Sequence, residues 1–133
     1  MKERDVVELA IINDKGEILL QKKTYDYPTV PGGYWCFFGG ELEKGETPKE
    51  CIKREIEEEI GIKIEDIDFV ATRDYELETG FFGKRYIFKG KFKGKISDIC
   101  LNEGGGFGFF NILEIDNIKL QDFVLKDIKE ICV

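Results

Sequence analysis

The segment TPKECIKREIEEEIG, residues 47–61, constrains this chain more than any other, because both ends of one helix are written into it. Thr47 is a good N-cap, and Pro48 fits the first helical position, where its missing N–H costs nothing. Glu50, three residues after the cap, completes a capping box. Gly61 supplies the left-handed residue that ends a helix. The punctuation predicts a helix over residues 48–60. With Ile52 as origin and about 100° per residue, Ile56 and Ile60 fall about 40° and 80° away. That apolar stripe needs a core to face.

On the same wheel Glu59, Glu55 and Glu58 lie at about −20°, −60° and −120°, beside the stripe, while Glu57 points to the far side. Glu55 is i−3 to Glu58 and i−4 to Glu59, so the three carboxylates are neighbours. Like charges so placed destabilise a helix by about 0.2–0.5 kcal/mol per pair, and partial burial adds to the cost. A multivalent cation relieves it. Three carboxylates with backbone carbonyls from a nearby loop make a hard oxygen site suited to Mg²⁺ or Mn²⁺. The same residues also fit a solvated Glu/Lys face with Glu50–Arg54 as an i,i+4 pair. The wheel alone leaves both readings open.

Around this helix the chain alternates strand and turn signals. Residues 6–12 and 18–22, joined by DKGE, read as a hairpin. The stretch TYDYPTVPGGY reads as loop, and YWCFF as a short aromatic strand running into Gly39-Gly40. IDFVATRDYEL and KRYIFKGKF read as two strands joined by a loop, ETGFFG. CLNEGGGFGFFNILEI reads as a loop and a short strand. Leu120, Phe123, Val124, Ile128 and Ile131 recur at helical spacing, which predicts an amphipathic C-terminal helix. The expectation is an α/β fold, a mixed sheet covered by helices, in one domain of 133 residues.

Composition removes several chemistries. The absence of histidine excludes Ser-His-Asp triads, Cys-His dyads and His-ligated metals. A hydrolase here works with carboxylates, lysine, tyrosine or metal-bound water. A net charge of −7 disfavours binding to a nucleic-acid backbone but allows a phosphorylated small molecule bridged by a cation. No apolar run reaches the roughly 20 residues of a membrane helix. MKERDVVELA lacks the marks of a signal peptide, so Cys36, Cys51, Cys100 and Cys132 are expected to be reduced, mostly buried thiols of a cytoplasmic protein.

Gly40, Glu46, Arg54, Glu55, Ile56, Glu58, Glu59, Gly61 and Ile62 together fill every defined position of G-x5-E-x7-R-E-U-x-E-E-x-G-U, with U apolar. The chain thereby resembles the Nudix hydrolases, of MutT-like type. The resemblance implies a mixed sheet in an α/β/α sandwich and hydrolysis of a nucleoside diphosphate linked to another moiety. It makes Glu55, Glu58 and Glu59 the metal ligands, with the Gly39 carbonyl as a further one, and Mg²⁺ or Mn²⁺ the cofactor. Arg54 would orient the carboxylates, and Gly40, Glu46 and Gly61 would shape the turns of the box. Bridged diphosphate oxygens and an acidified water then let a carboxylate act as base without histidine. Relatives often draw a further acid from a distant loop, and Glu103 is the candidate, ahead of Glu43. Phe38 stands where many relatives have proline, which weakens transfer of their substrate class.

Substrate contacts are read only from residue type. Tyr25, Tyr27, Tyr34, Phe81, Phe82 and Tyr86 could offer a surface to a nucleobase, and Lys22, Lys23, Arg73 and Arg85 could hold phosphates; each also fits packing or an ordinary surface charge. A nucleoside triphosphate, oxidised or not, is the first substrate choice. ADP-ribose, NADH, dinucleoside polyphosphates and nucleotide sugars remain alternatives. So do a non-catalytic regulatory module, which commonly loses box glutamates, and an isoprenoid-diphosphate isomerase, for which the chain is short. Monomer and homodimer are both open.

Overall fold

The computed structural model describes residues 2–24, 32–102 and 105–132. Its strands are β1 (Lys2–Glu3), β2 (Val6–Asn13), β3 (Ile18–Lys22), β4 (Trp35–Cys36), β5 (Phe38–Glu41), β6 (Glu65–Glu76), β7 (Phe81–Phe92) and β8 (Gly106–Phe110). The helices are α1 (Pro48–Ile60) and α2 (Asp122–Ile131). One mixed sheet runs β1-β7-β2-β3-β4, with β6 paired to β7, β5 to β2 and β8 to β3. Parallel β2 and β7 match over eight residues, from Val6 opposite Arg85 to Asn13 opposite Phe92.

The residues of β2 alternate between two cores. Val7, Leu9 and Ile11 pack with Ile52, Ile56 and Ile60 of α1 on one face of the sheet. Ala10 packs with Val124, Ile128 and Ile131 of α2 on the other. This is the expected α/β/α sandwich. Each fully buried isoleucine contributes about 1.5–3 kcal/mol, so the stripe on α1 suffices to fix that helix on the sheet.

The hairpin of β2 and β3 forms as expected, but only Ile11–Leu19 and Ile12–Ile18 pair directly. Beyond them the strands splay, and YWCFF fills the gap in two pieces. β4 follows β3 and β5 follows β2, with Gly40 opposite Val7 and Gly39 opposite Glu8. The single aromatic strand of the sequence reading is thus broken at Phe37. Phe81 and Phe82 correct a second expectation: they belong to β7, not to the loop, because β1 pairs with them. Among the described residues no helix is long and apolar enough to cross a membrane.

Candidate active site

The helix carrying the box forms over the predicted residues. Glu50 N–H donates to Thr47 Oγ1 at 3.2 Å and Thr47 N–H to Glu50 Oε1 at 3.1 Å, the reciprocal capping box. Gly61 ends the helix at φ 69°, a conformation costly for any side chain. The remaining terminal carbonyls are closed from a distance. Asn102 donates its Nδ2 to Glu58 O and its N–H to Glu59 O, both at 2.9 Å, and Cys100 N–H reaches Ile60 O at 3.0 Å.

Burial of the three carboxylates follows their angle from the stripe. Glu59 is 1% exposed, whereas the side chains of Glu55 and Glu58 are 15% and 59% exposed. Glu59 turns inward, accepting from Gln21 Nε2 at 3.1 Å and from Gly39 N–H at 3.2 Å. Gln21 also donates to Phe37 O, and its own Oε1 is buried with no hydrogen-bond partner among the described residues.

Glu55 lies against Gly40. A Cβ at position 40 would stand 2.3 Å from the Glu55 carboxyl carbon, so glycine here makes room for the carboxylate. At Gly39 a Cβ would stand 1.9 Å from Val7 O, a backbone atom. The sequence reading placed Gly40 in a turn. It is an extended strand residue, and its lack of a side chain serves Glu55 instead.

Arg54 ties the acids together. Its Nε and Nη2 grip Glu46 at 2.7 and 2.9 Å, and Nη1 donates to Glu55 Oε1 at 3.0 Å and to Glu58 Oε2 at 3.2 Å. Arg54 thus bonds both Glu55 and Glu58. Glu46 both closes the turn, accepting from Glu43 N–H at 3.1 Å, and clamps Arg54. That fork holds the Glu46 carboxyl down at about 2. Beside it, burial pushes the Cys51 thiol up to about 12, so this cysteine is an inert packing residue.

Among the described residues no three acidic or thiol side chains converge into a ready cation cage. Arg54 Nη1 holds Glu55 and Glu58, while Glu59 faces Gln21 and Gly39. The donor set still fits a hard cation. It consists of carboxylate oxygens, one of them in a space that only glycine leaves open, with the orphaned Gln21 oxygen beside Glu59.

A cavity opens from Gly39 and Gly40 onto the α2 side of the sheet, lined among others by Arg4, Glu8, Gln21, Lys23, Phe37 and Arg85. Of the candidate substrate contacts, Lys23 and Arg85 line this cavity, whereas Lys22, Arg73, Phe82 and Tyr86 do not. Lys22 is exposed, and its neighbour Lys23 is the buried lysine that lines the cavity. Arg73 is held by Asp127 and Glu130 at 2.7 Å each. Phe82 borders a separate depression with Glu3, Asp5, Asp74 and Glu76, too acidic for phosphates. Tyr86 packs on the α1-side core. Arg85 reaches the cavity but as the partner of Glu8 and Asp127. Glu103, Tyr25 and Tyr27 lie outside the described residues. Cys36 and Cys51 are buried as expected, while Cys100 is exposed. Glu8 and Gln21 were missed, though each is a polar residue set in an apolar strand, VVELAII and ILLQ.

Comparison with known proteins agrees with the box. The family model described as NUDIX domain matches residues 1–129. An uncharacterized Nudix hydrolase of Listeria monocytogenes is 33% identical over 98 residues, 74% of this chain and 56% of that protein. The nucleoside triphosphatase NudI of an Enterobacter species is 42% identical over 65 residues, 49% of this chain and 45% of that one. The chain thus spans about half the length of the curated relatives it matches. A crystal structure of a MutT protein from Methanosarcina mazei superposes with a TM-score of 0.81 at 26% identity, covering 98% of this chain and 92% of that one. From the filled box, the sandwich and a family match over nearly all its length, the chain belongs to the NUDIX domain family.

Proposed function

We propose that this protein hydrolyses a nucleoside diphosphate linked to another moiety, using Mg²⁺ or Mn²⁺, with a nucleoside triphosphate, ordinary or oxidised, as the leading substrate. The observation that carries the reading is the placement of Glu55 and Glu59 against Gly40 and Gly39, which also line a cavity. The likeness to a nucleoside triphosphatase supports the choice of substrate. Glu55, Glu58 and Glu59 would hold the cation, with the Gly39 carbonyl as the backbone ligand. When bound, such a cation neutralises the diphosphate oxygens and favours attack of water at phosphorus. Arg54, fixed by Glu46, sets the direction of the Glu55 and Glu58 carboxylates, and Gln21 sets that of Glu59. Lys23 and Arg4 place positive charge on the cavity wall, where a phosphate chain would pass.

Glu103 is the candidate for the further acid, as base or as extra ligand. The chain on its two sides supports that role: Asn102 is bonded to the C-terminal end of α1, and Gly105 N–H donates to Lys22 O at 2.7 Å. We place the activity in the cytoplasm on a small-molecule nucleotide, with no role for nucleic acid or membrane, in a monomer or homodimer.

The test is a hydrolysis panel of nucleoside triphosphates, oxidised deoxynucleotides, ADP-ribose, NADH, dinucleoside polyphosphates and nucleotide sugars. Metal-dependent release of a nucleoside monophosphate is expected, abolished in Glu58→Gln with the fold intact. Full activity in excess EDTA or in that variant would sink the proposal. Glu103→Gln should lower the rate more than about threefold, or ~0.7 kcal/mol; a smaller change removes its role as base.

A further inference from the structure

At the inner end of the cavity one guanidinium serves two carboxylates. Arg85 donates its Nε to Glu8 Oε1 at 2.7 Å and its Nη2 to Asp127 Oδ2. Asp127, 1% exposed, is saturated, because its Oδ1 accepts from Arg73 Nη1 at 2.7 Å. Glu8 is not. Its side chain is 15% exposed and lines the cavity, and only one of its oxygens is bonded among the described residues. The free oxygen is not among the sealed, unpartnered atoms, so it remains open to a ligand. Phe37, Tyr75 and Phe123 line the same space, with Phe123 stacked 4.6 Å from the Arg85 guanidinium. Burial pushes the Glu8 carboxyl above its usual range, and nearby Asp127 adds to this against the pull of Arg85. The pocket thus has aromatic walls and a carboxylate with one oxygen left without a donor.

Resting on the nucleotide reading above, we propose that Glu8 selects the base: its free carboxylate oxygen accepts an N–H from an exocyclic amino group of the nucleobase. An amino group projects beyond the ring and so reaches a recessed acceptor, while a carbonyl oxygen at that position is repelled by it. The Gly39-Gly40 edge shared by cavity and box lets a ligand so seated extend its phosphates toward Glu55.

The experiment is equilibrium binding by calorimetry of three monophosphate pairs that differ at an amino group: AMP and purine riboside monophosphate, GMP and IMP, CMP and UMP. In the wild type at least one pair should differ tenfold or more in Kd, the amino form binding tighter. Glu8→Gln keeps an oxygen for Arg85 but turns the free atom from acceptor to donor, and should cut that ratio below threefold. Glu8→Asp, which keeps the charge and shortens the reach, should also lose it and covers the case that Glu8→Gln does not fold. Pairs that bind alike, or a ratio both variants preserve, overturn the role of Glu8 and leave the hydrolase reading standing. Absence of binding by all six overturns it too, and hydrolysis assayed on the same preparation then shows whether the nucleotide reading survives.

Discussion

Two arginine-centred networks sit on opposite faces of the sheet. On the α1 face Arg54 gathers Glu46, Glu55 and Glu58 from positions eight, one and four residues away. On the α2 face Arg85 joins Glu8 and Asp127 across separations of 77 and 42 residues, and Arg73 extends the chain to Glu130. Arg54 is 28% exposed and Arg85 4%. The more open, local network holds the box carboxylates. The buried, long-range one bolts α2 to the sheet and cannot move without leaving a charge unpaired.

The sharpest way to break this contrast is to remove each arginine. Arg85→Ala strands Glu8 and Asp127 and should lower the unfolding free energy by about 3–5 kcal/mol in urea titration. Arg54→Ala should cost less, about 1–2 kcal/mol, because Arg54 itself is 28% exposed although Glu46 and Glu55 are only 14% and 15% exposed, yet reduce kcat at least tenfold. Equal stability losses would erase the distinction.

The glycine pair separates fold from chemistry one residue apart. Gly39→Ala drives a Cβ into Val7 O and should destabilise by about 3 kcal/mol, the upper end of overpacking costs. Gly40→Ala displaces only the end of the Glu55 side chain. It should leave Tm nearly unchanged while activity falls at least tenfold; retained activity would show that the Glu55 position does not matter.

The smallest effect is in pH, and its sign differs between the faces. Glu46 is depressed to about 2, so its contribution is present above the ordinary 4.5 and lost as pH falls through about 2. Glu8 is raised, so its contribution is full below 4.5 and lost as pH rises through the higher folded value. Measured against Glu46→Gln and Glu8→Gln, the wild-type Tm advantage should therefore grow with pH in the first case and shrink in the second. The same trend in both contradicts the assignment.

These contrasts also explain what was legible in the sequence. The box network is local, so cap, stripe and carboxylate arc could be read from the helical repeat alone, down to the burial order of Glu59, Glu55 and Glu58. Arg73 and Arg85 were read as phosphate holders or ordinary surface charges, because partners 54 and 42 residues distant leave no periodic trace. Gly40 was read as a turn because glycine marks both bends and close approaches, and only the packing of Glu55 decides between them.

The account stands on the box carboxylates holding a divalent cation, and Mn²⁺ binding followed by electron paramagnetic resonance tests that without any substrate. Glu59→Gln loses the charge and keeps one oxygen, enough for Gln21 or Gly39 N–H but not for both. It should weaken Mn²⁺ at least tenfold, by about 1.4 kcal/mol or more, in a protein still folded by circular dichroism. Wild-type affinity in Glu59→Gln, or no Mn²⁺ binding by the wild type, contradicts the account.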